Sequence, residues 1–517
     1  MLALVLVIVL AVGCSRGPGE PPEAPKDPGV VKTTAGLVRG GVAADHREFS
    51  GIPYAAPPVG PLRWEPPAAV PAWTGARDAT RPGLRCVQDA ETDLDPGRES
   101  GEDCLNLSVW TPPPSDELRP VLVWIHGGGF ANGSGDVYSA RRLASGGDIV
   151  VVTINYRLGA LGFLAHPALG PPGDVGNYGL ADQQAALRWV RDNIANFGGD
   201  PAKVTIGGES AGGMSVCDHL VAPGSAGLFR AAIIQSAPCQ AQASLPVAEQ
   251  RSIDYATGLG CGPGDLAAQC LRSLPVDKLR GTPPAFSDFG GVRLTGPISG
   301  TTALPVDPVT AFADGQAARV PVMIGSNRDE FTIFVAGQYL RQGRAFDAER
   351  YPQLLSETFG ADAAAVGEHY PLDRFGGSAP LAYSAAVTDD AFACAADRIA
   401  DDLAKVDPVY AYEFNDRSVP APEVFAHLPF PIGAGHSLEV RYLLDVGGEQ
   451  TLNPAQQALS DQMIDYWAAF ITNGSPSAEG QPDWPAGKLM SLQPDGSHVV
   501  AGFEETHQCP FWASVQG

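Results

Sequence analysis

Val204-Thr205-Ile206-Gly207-Gly208-Glu209-Ser210-Ala211-Gly212-Gly213-Met214 carries an apolar run into a Gly-x-Ser-x-Gly turn and out into a helix-like segment. A strand that delivers Ser210 to a sharp bend, glycine on both sides of it, and a helix leading away make a nucleophile elbow. The five-residue pattern is short enough to arise by chance in a chain with 61 glycines, so its weight comes from its context.

Upstream, Val121-Leu122-Val123-Trp124-Ile125 reads as a fully buried strand that ends in His126-Gly127-Gly128-Gly129-Phe130, a loop suited to offering backbone N–H groups to an oxyanion. Alone, a glycine triplet is equally well read as a tight turn; after a strand and ahead of an elbow it reads as the oxyanion loop. A serine nucleophile of this kind needs a carboxylate and then a histidine later in the chain. Residues 320–325 read as a short buried strand, and Ser326-Asn327-Arg328-Asp329-Glu330 leaves its end, so Glu330 is the acid selected and Asp329 its adjacent rival. His369, His427, His436, His498 and His507 follow Glu330, and periodicity does not choose among them. The base selected is His436, in Gly435-His436-Ser437-Leu438-Glu439, beyond the strand-like run 409–414. Trp189 lies on a helix-like segment, 179–196, with apolar residues at helical spacing, which makes it a core residue. Glu209 has two readings: a buried partner of neighbouring polar groups, or a negative wall of the site.

The family resemblance is close. Phe197-Gly198-Gly199-Asp200-Pro201 followed by Gly207-Gly208-Glu209-Ser210-Ala211-Gly212-Gly213 resembles the serine signature of the type-B carboxylesterases, the family of cholinesterases and bacterial p-nitrobenzyl esterases. Glu102-Asp103-Cys104-Leu105-Asn106-Leu107 resembles its second signature. Gly51-Ile52-Pro53-Tyr54-Ala55, Asn155-Tyr156-Arg157-Leu158-Gly159, Leu180-Ala181-Asp182-Gln183-Gln184 and Gln235-Ser236-Ala237 follow in family order. The resemblance implies an α/β-hydrolase fold. It assigns the acid to Glu330 and the base to His436, and implies acyl transfer to Ser210 with the oxyanion held by backbone N–H groups of Gly128, Gly129 and Ala211. The implied substrate is a small-molecule carboxylic ester, with no metal and no organic cofactor. Two other outcomes stay open: a catalytically inactive surface adhesion module on the same fold, and the same triad acting on amides, thioesters or lactones.

The expected architecture is α/β, with a mainly parallel central sheet and helices on both faces. Near-continuous apolar runs place strands at 121–125, 149–154, 204–207, 231–234, 320–324 and 409–414. Segments 241–321 and 331–403 carry helix-like patterns expected to roof the site. At 517 residues, the chain reads as one catalytic domain from residue 30 to 517, behind an N-terminal address.

That address is an apolar run, residues 2–12, of the length of a signal h-region and too short to span a membrane. It ends at Ala11-Val12-Gly13-Cys14, which resembles a bacterial lipobox, although no Lys or Arg precedes the run and Ala11 stands where Leu is commoner. The expectation is a lipoprotein-type signal peptide at 1–13, lipid on Cys14, a Pro/Gly-rich tether at 14–29, and an exported, surface-anchored or secreted protein. Setting Cys14 aside from nine cysteines leaves eight, an even set suited to an oxidising compartment. The resemblance pairs Cys86 with Cys104, Cys261 with Cys270, and Cys394 with Cys509. Cys217 and Cys239 read either as a fourth bridge or as two buried thiols. A formal charge of −24 offers no basic footprint for nucleic acid and weakly favours cationic substrates. The loop 87–103 contains no Trp, Tyr or Phe, which argues against a choline ester. Oligomeric state has no signature in the sequence.

Overall fold

The computed structural model describes residues 27–88, 98–280, 284–289, 292–342, 346–447 and 451–515. The expected signal peptide, Cys14 and most of the 14–29 tether lie outside the described residues.

An eleven-stranded sheet forms the centre. In chain order its strands are β1 (Gly41–Val42), β2 (Arg47–Pro53), β3 (Asn106–Thr111), β4 (Arg119–Ile125), β5 (Val150–Ile154), β6 (Gly199–Glu209), β7 (Ala231–Gln235), β8 (Val322–Asn327), β9 (Val409–Phe414), β10 (Leu489–Leu492) and β11 (His498–Val500). Across the sheet they run β11-β10-β9-β8-β7-β6-β4-β5-β3-β2-β1. β5 to β10 of this row pair in parallel; β3, β2 and β1 at one edge and β11 at the other are antiparallel. Six of the parallel strands are the apolar runs read from the sequence; the seventh, β10, parallel to β9, was not read as a strand. β6 starts five residues before Val204 because Gly199 pairs with Arg119 across an irregular register, and β8 continues past Ile324 to Asn327.

Alternation along these strands feeds two cores. Val121, Val123 and Ile125 pack on one face, Leu122 and Trp124 on the other. The first face is covered by α1 (Tyr178–Asn193), through Trp189 and Val190, and by α2 (Ala211–Val221), through Met214 and Val216. The second is covered by α6 (Pro454–Asn473), through Met463, Trp467 and Phe470. α6 starts sharply: Asn453 accepts from Ala455 and Gln456 N–H groups, the Gln456 side chain accepts the Asn453 N–H, and Pro454 fills the first turn.

Three helices between β8 and β9 matter for the site: α3 (Thr332–Gln342), α4 (Ala379–Thr388) and α5 (Cys394–Ala404). A π-helical turn, Asp389–Ala393, joins α4 to α5. Four disulfides are present, Cys86–Cys104, Cys217–Cys239, Cys261–Cys270 and Cys394–Cys509. The second fastens α2 to the chain just past β7. Among the described residues no helix is long and apolar enough to cross a membrane.

Ile206 is buried at the middle of β6, opposite Val123 and Ala232. Ile206→Ala is expected to cost about 2–5 kcal/mol, read as a lower urea midpoint. Val499→Ala on edge strand β11, where the side chain is 39% exposed, is expected to stay within about 0.5 kcal/mol of wild type.

Candidate active site

Ser210 stands between the end of β6 and the first residue of α2, with φ 55° and ψ −122°. That conformation is strained for any residue with a Cβ, and it persists because its surroundings fix it. The Ser210 N–H donates to the Gln235 carbonyl at the end of β7, 2.9 Å away. On the other side α2 begins in backbone contact with β4: a Cβ on Gly212 would lie 2.0 Å from the Ile125 carbonyl oxygen. Ala211 opens α2, so its N–H has no acceptor within the helix.

The glycine loop after β4 lies against this bend. A Cβ on Gly127 would fall 2.8 Å from Glu209 Oε2 and 3.1 Å from Ser210 Cβ. Gly128 and Gly129 take φ of 104° and 60°, open to glycine at little cost, and their N–H groups bond to no other described residue. The loop is held from beneath. Tyr156 donates its hydroxyl to the His126 carbonyl at 2.8 Å and stacks on the His126 ring at 4.4 Å, and the Phe130 carbonyl accepts the Gly159 N–H. Burial lowers the His126 imidazole to about 4, so it stays neutral.

Glu330 and His436 meet. His436 Nδ1 lies 2.6 Å from Glu330 Oε2, and the His436 N–H donates to the Glu330 carbonyl. Glu330 Oε1 accepts the Asn327 N–H at 2.7 Å, which fixes the carboxyl from behind. Its rival Asp329 faces elsewhere: it makes a two-pronged ion pair with Arg417 at 2.8 and 2.7 Å and accepts the Ala434 N–H. The other four histidines sit apart from Glu330. His427 and His498 are exposed, His369 stacks on Phe511, and His507 is buried between Asp389 and Glu413.

Glu209 is buried, with Oε1 3.1 Å from His436 Nε2 but not aligned to hydrogen-bond it. It therefore forms a wall of the site and is not a saturated structural partner. A third carboxyl, Glu439, lies one turn beyond His436, accepting from Gln235 Nε2 at 3.1 Å and Asn327 Nδ2 at 2.6 Å; Trp467 in turn donates to Gln235 Oε1. The sequence reading gave Glu439, Gln235 and Asn327 no role. Ser210 Oγ makes no hydrogen bond to another described residue.

Charge in this cluster is strongly coupled. Burial would lower the His436 imidazole, but Glu209, then Glu330 and Glu439, raise it to about 9. Burial raises the Glu209 carboxyl to about 8; His436 opposes this, and Glu439 and Glu330 add to it. Burial, with Glu330, lifts Glu439 to about 7. One imidazole thus attracts charge from several acids that cannot all be ionised together. Apolar walls close round it: Phe334 of α3 and Phe392 of the π turn lie 5.0 and 5.3 Å from the His436 ring, and Leu294 faces Gly129. Among the described residues no group of His, Cys, Asp and Glu has the arrangement of a metal site.

Residues 27–512 match the carboxylesterase family model. The chain is 36% identical to the fumonisin B1 esterase of Sphingopyxis macrogoltabida, over 92% of this chain and 88% of that protein. It is 34% identical to the cocaine esterase of Oryctolagus cuniculus, over 93% and 95%, and 35% identical to the phenmedipham hydrolase of Pseudarthrobacter oxydans, over 88% and 92%.

Removing the Glu209 charge removes the largest influence that favours the His436 imidazolium, so in Glu209→Gln the imidazole is expected to titrate at least about one unit lower, a change of about 1.4 kcal/mol. NMR titration of the His436 ring reads the shift directly, and an unmoved titration contradicts the coupling.

Proposed function

The chain belongs to the carboxylesterase family, has that family's α/β-hydrolase fold and is a carboxylic ester hydrolase; from this premise we propose that it cleaves small-molecule esters through an acyl-enzyme on Ser210. The observation that carries the reading is the 2.6 Å contact of His436 with Glu330, with the other ring nitrogen of His436 3.1 Å from Glu209, the residue before the strained Ser210 at the strand-to-helix bend.

In this reading Ser210 Oγ attacks the ester carbonyl while His436 Nε2 takes the hydroxyl proton. Glu330 holds the ring through Nδ1 and stabilises its cationic form. The tetrahedral oxyanion accepts hydrogen bonds from the N–H groups of Gly128, Gly129 and Ala211, each such donor worth roughly 3–4 kcal/mol in comparable enzymes. Collapse returns the proton from His436 to the leaving alcohol. Water then repeats the cycle on the acyl-enzyme and releases the carboxylate. Burial pushes the Glu209 carboxyl up and His436, 3.1 Å away, pulls it back, so Glu209 adds to the stabilisation of the imidazolium as the proton arrives. The three relatives named above are esterases or hydrolases by name, and no observation favours the binding-only alternative.

Ser210→Ala is expected to lower kcat for a p-nitrophenyl ester by about 10⁴ or more while leaving the unfolding transition in place. An unchanged rate contradicts the assignment. A fluorophosphonate probe should label wild type at Ser210 and leave the variant unlabelled. Matched esters, amides, thioesters and lactones, compared by kcat/KM, rank the acyl donors.

We extend the proposal to the N-terminus: 1–13 as signal peptide, lipid on Cys14, 14–29 as tether and 30–517 as one catalytic domain. The four disulfides suit an oxidising compartment. In a bacterial host the full chain is expected in the detergent phase of a Triton X-114 partition and Cys14→Ser in the aqueous phase; identical partitioning contradicts the anchor.

A further inference from the structure

Behind the loop that carries Asp329 and Glu330, the C-terminal ends of β9 and β10 leave an open cleft of about 360 Å³. Arg328, Arg417, Asn415, Ser491, Gln493 and His498 line it, and Glu413 is its one carboxylate among the described residues. That carboxylate is already occupied: its side chain is 6% exposed and lies 3.1 Å from Arg328 Nη1 and 2.7 Å from His507 Nε2. Burial pushes Glu413 up, but His507 and Arg328 outweigh it and hold the carboxyl below its ordinary range, so it stays an anion bound to its own cations.

The two guanidinium groups are not saturated. Arg328 spends Nη1 on Glu413 and contacts His507, and its Nε and Nη2 bond to no other described residue. Arg417 spends Nε and Nη2 on Asp329 and keeps Nη1, with its side chain 61% exposed. Two half-used guanidinium forks, with the Asn415 and Gln493 amides in the same lining, present the donor set that an oxyanion takes. It is an unusual feature of a protein whose net charge is −24.

Arg417 also links the cleft to the triad loops. Asp329, which it holds, precedes Glu330 and accepts through Oδ2 the N–H of Ala434, two residues before His436. An anion that draws on Arg417 thereby loosens a brace shared by the acid and the base.

We propose that this cleft binds one small oxyanion, phosphate or carboxylate, between Arg328 and Arg417, and that occupancy changes turnover by sharing Arg417 with Asp329. The carboxylate source would be the product class of the reaction proposed above; the phosphate source would be the medium.

The binding test uses the full chain carrying Ser210→Ala, so its outcome is independent of whether Ser210 is the nucleophile. Isothermal titration with inorganic phosphate, and separately with succinate, is run at ionic strength held constant with sodium chloride. One saturable site of about millimolar Kd is expected for at least one of the two anions. Arg328→Gln should weaken it at least tenfold, His498→Ala and Gln493→Ala less so, and Arg191→Gln on a distant surface not at all. Whichever anion binds more tightly identifies the source. No saturable binding of either anion, or equal binding by Arg328→Gln and wild type, overturns the site. On the wild-type enzyme, the bound anion should change kcat for a p-nitrophenyl ester at least twofold relative to chloride, and Arg417→Gln should abolish that response. Binding without any change in kcat overturns the link to the triad. If Arg417→Gln fails to fold, the same loss of response is read from His498→Ala as a rightward shift of the anion dose curve.

Discussion

The hydrogen bond between His436 and Glu330 joins side chains 106 residues apart in the chain, and the rest of the site is arranged to orient it, to stabilise the imidazolium when it forms, and to keep it dry. An imidazole buried to this degree would ordinarily lose its proton. Three acids from different elements reverse that: Glu209 at the end of β6, Glu330 after β8, and Glu439 beyond His436 itself. Each acid costs free energy to bury, and each is held by a different compensation. Glu330 accepts from Asn327, Glu439 accepts from Asn327 and Gln235, and Glu209, pushed up by burial, faces the imidazole itself at 3.1 Å. The parallel sheet makes this possible, because it brings the C-terminal ends of β4, β6, β7, β8 and β9 to one edge.

Ser210, the proposed nucleophile, is held by a second constraint, close approach of backbones. β4 and α2 touch at Gly212, and the glycine loop touches the end of β6 at Gly127. The strain at Ser210 is absorbed there by a strand on either side of β6 and by the Cys217–Cys239 bridge behind α2. Phe334 and Phe392 then exclude water from the side of the imidazole, supplied by the helices between β8 and β9.

Most of the inner sheet was legible because parallel strands covered on both faces read as near-continuous apolar runs, as at 121–125 and 409–414. The outer strands were not. Gly41–Val42 and His498–Val500 are short, and the longer Arg47–Pro53 mixes polar with apolar residues, so no period marks them. The serine and the glycine loop were legible from local chemistry. His436 was not separable from the other late histidines without the family resemblance, since what distinguishes it is a partner far away in sequence. His507 shows the difficulty well: it too is buried between two carboxylates, Asp389 and Glu413, yet it fastens the C-terminal helix and not the nucleophile. Glu439, Asn327 and Gln235 gave no signal because a buried acid or amide looks in sequence like any of the exposed ones.

The identity of the proposed triad acid tests the account most directly. Glu330→Gln keeps the shape of the side chain but removes the charge that steadies the imidazolium, and kcat for a p-nitrophenyl ester is expected to fall by about 10⁴ with the fold intact. Asp329→Asn, measured beside it, is expected to lose far less. A Glu330→Gln enzyme within tenfold of wild type would contradict the arrangement described for His436.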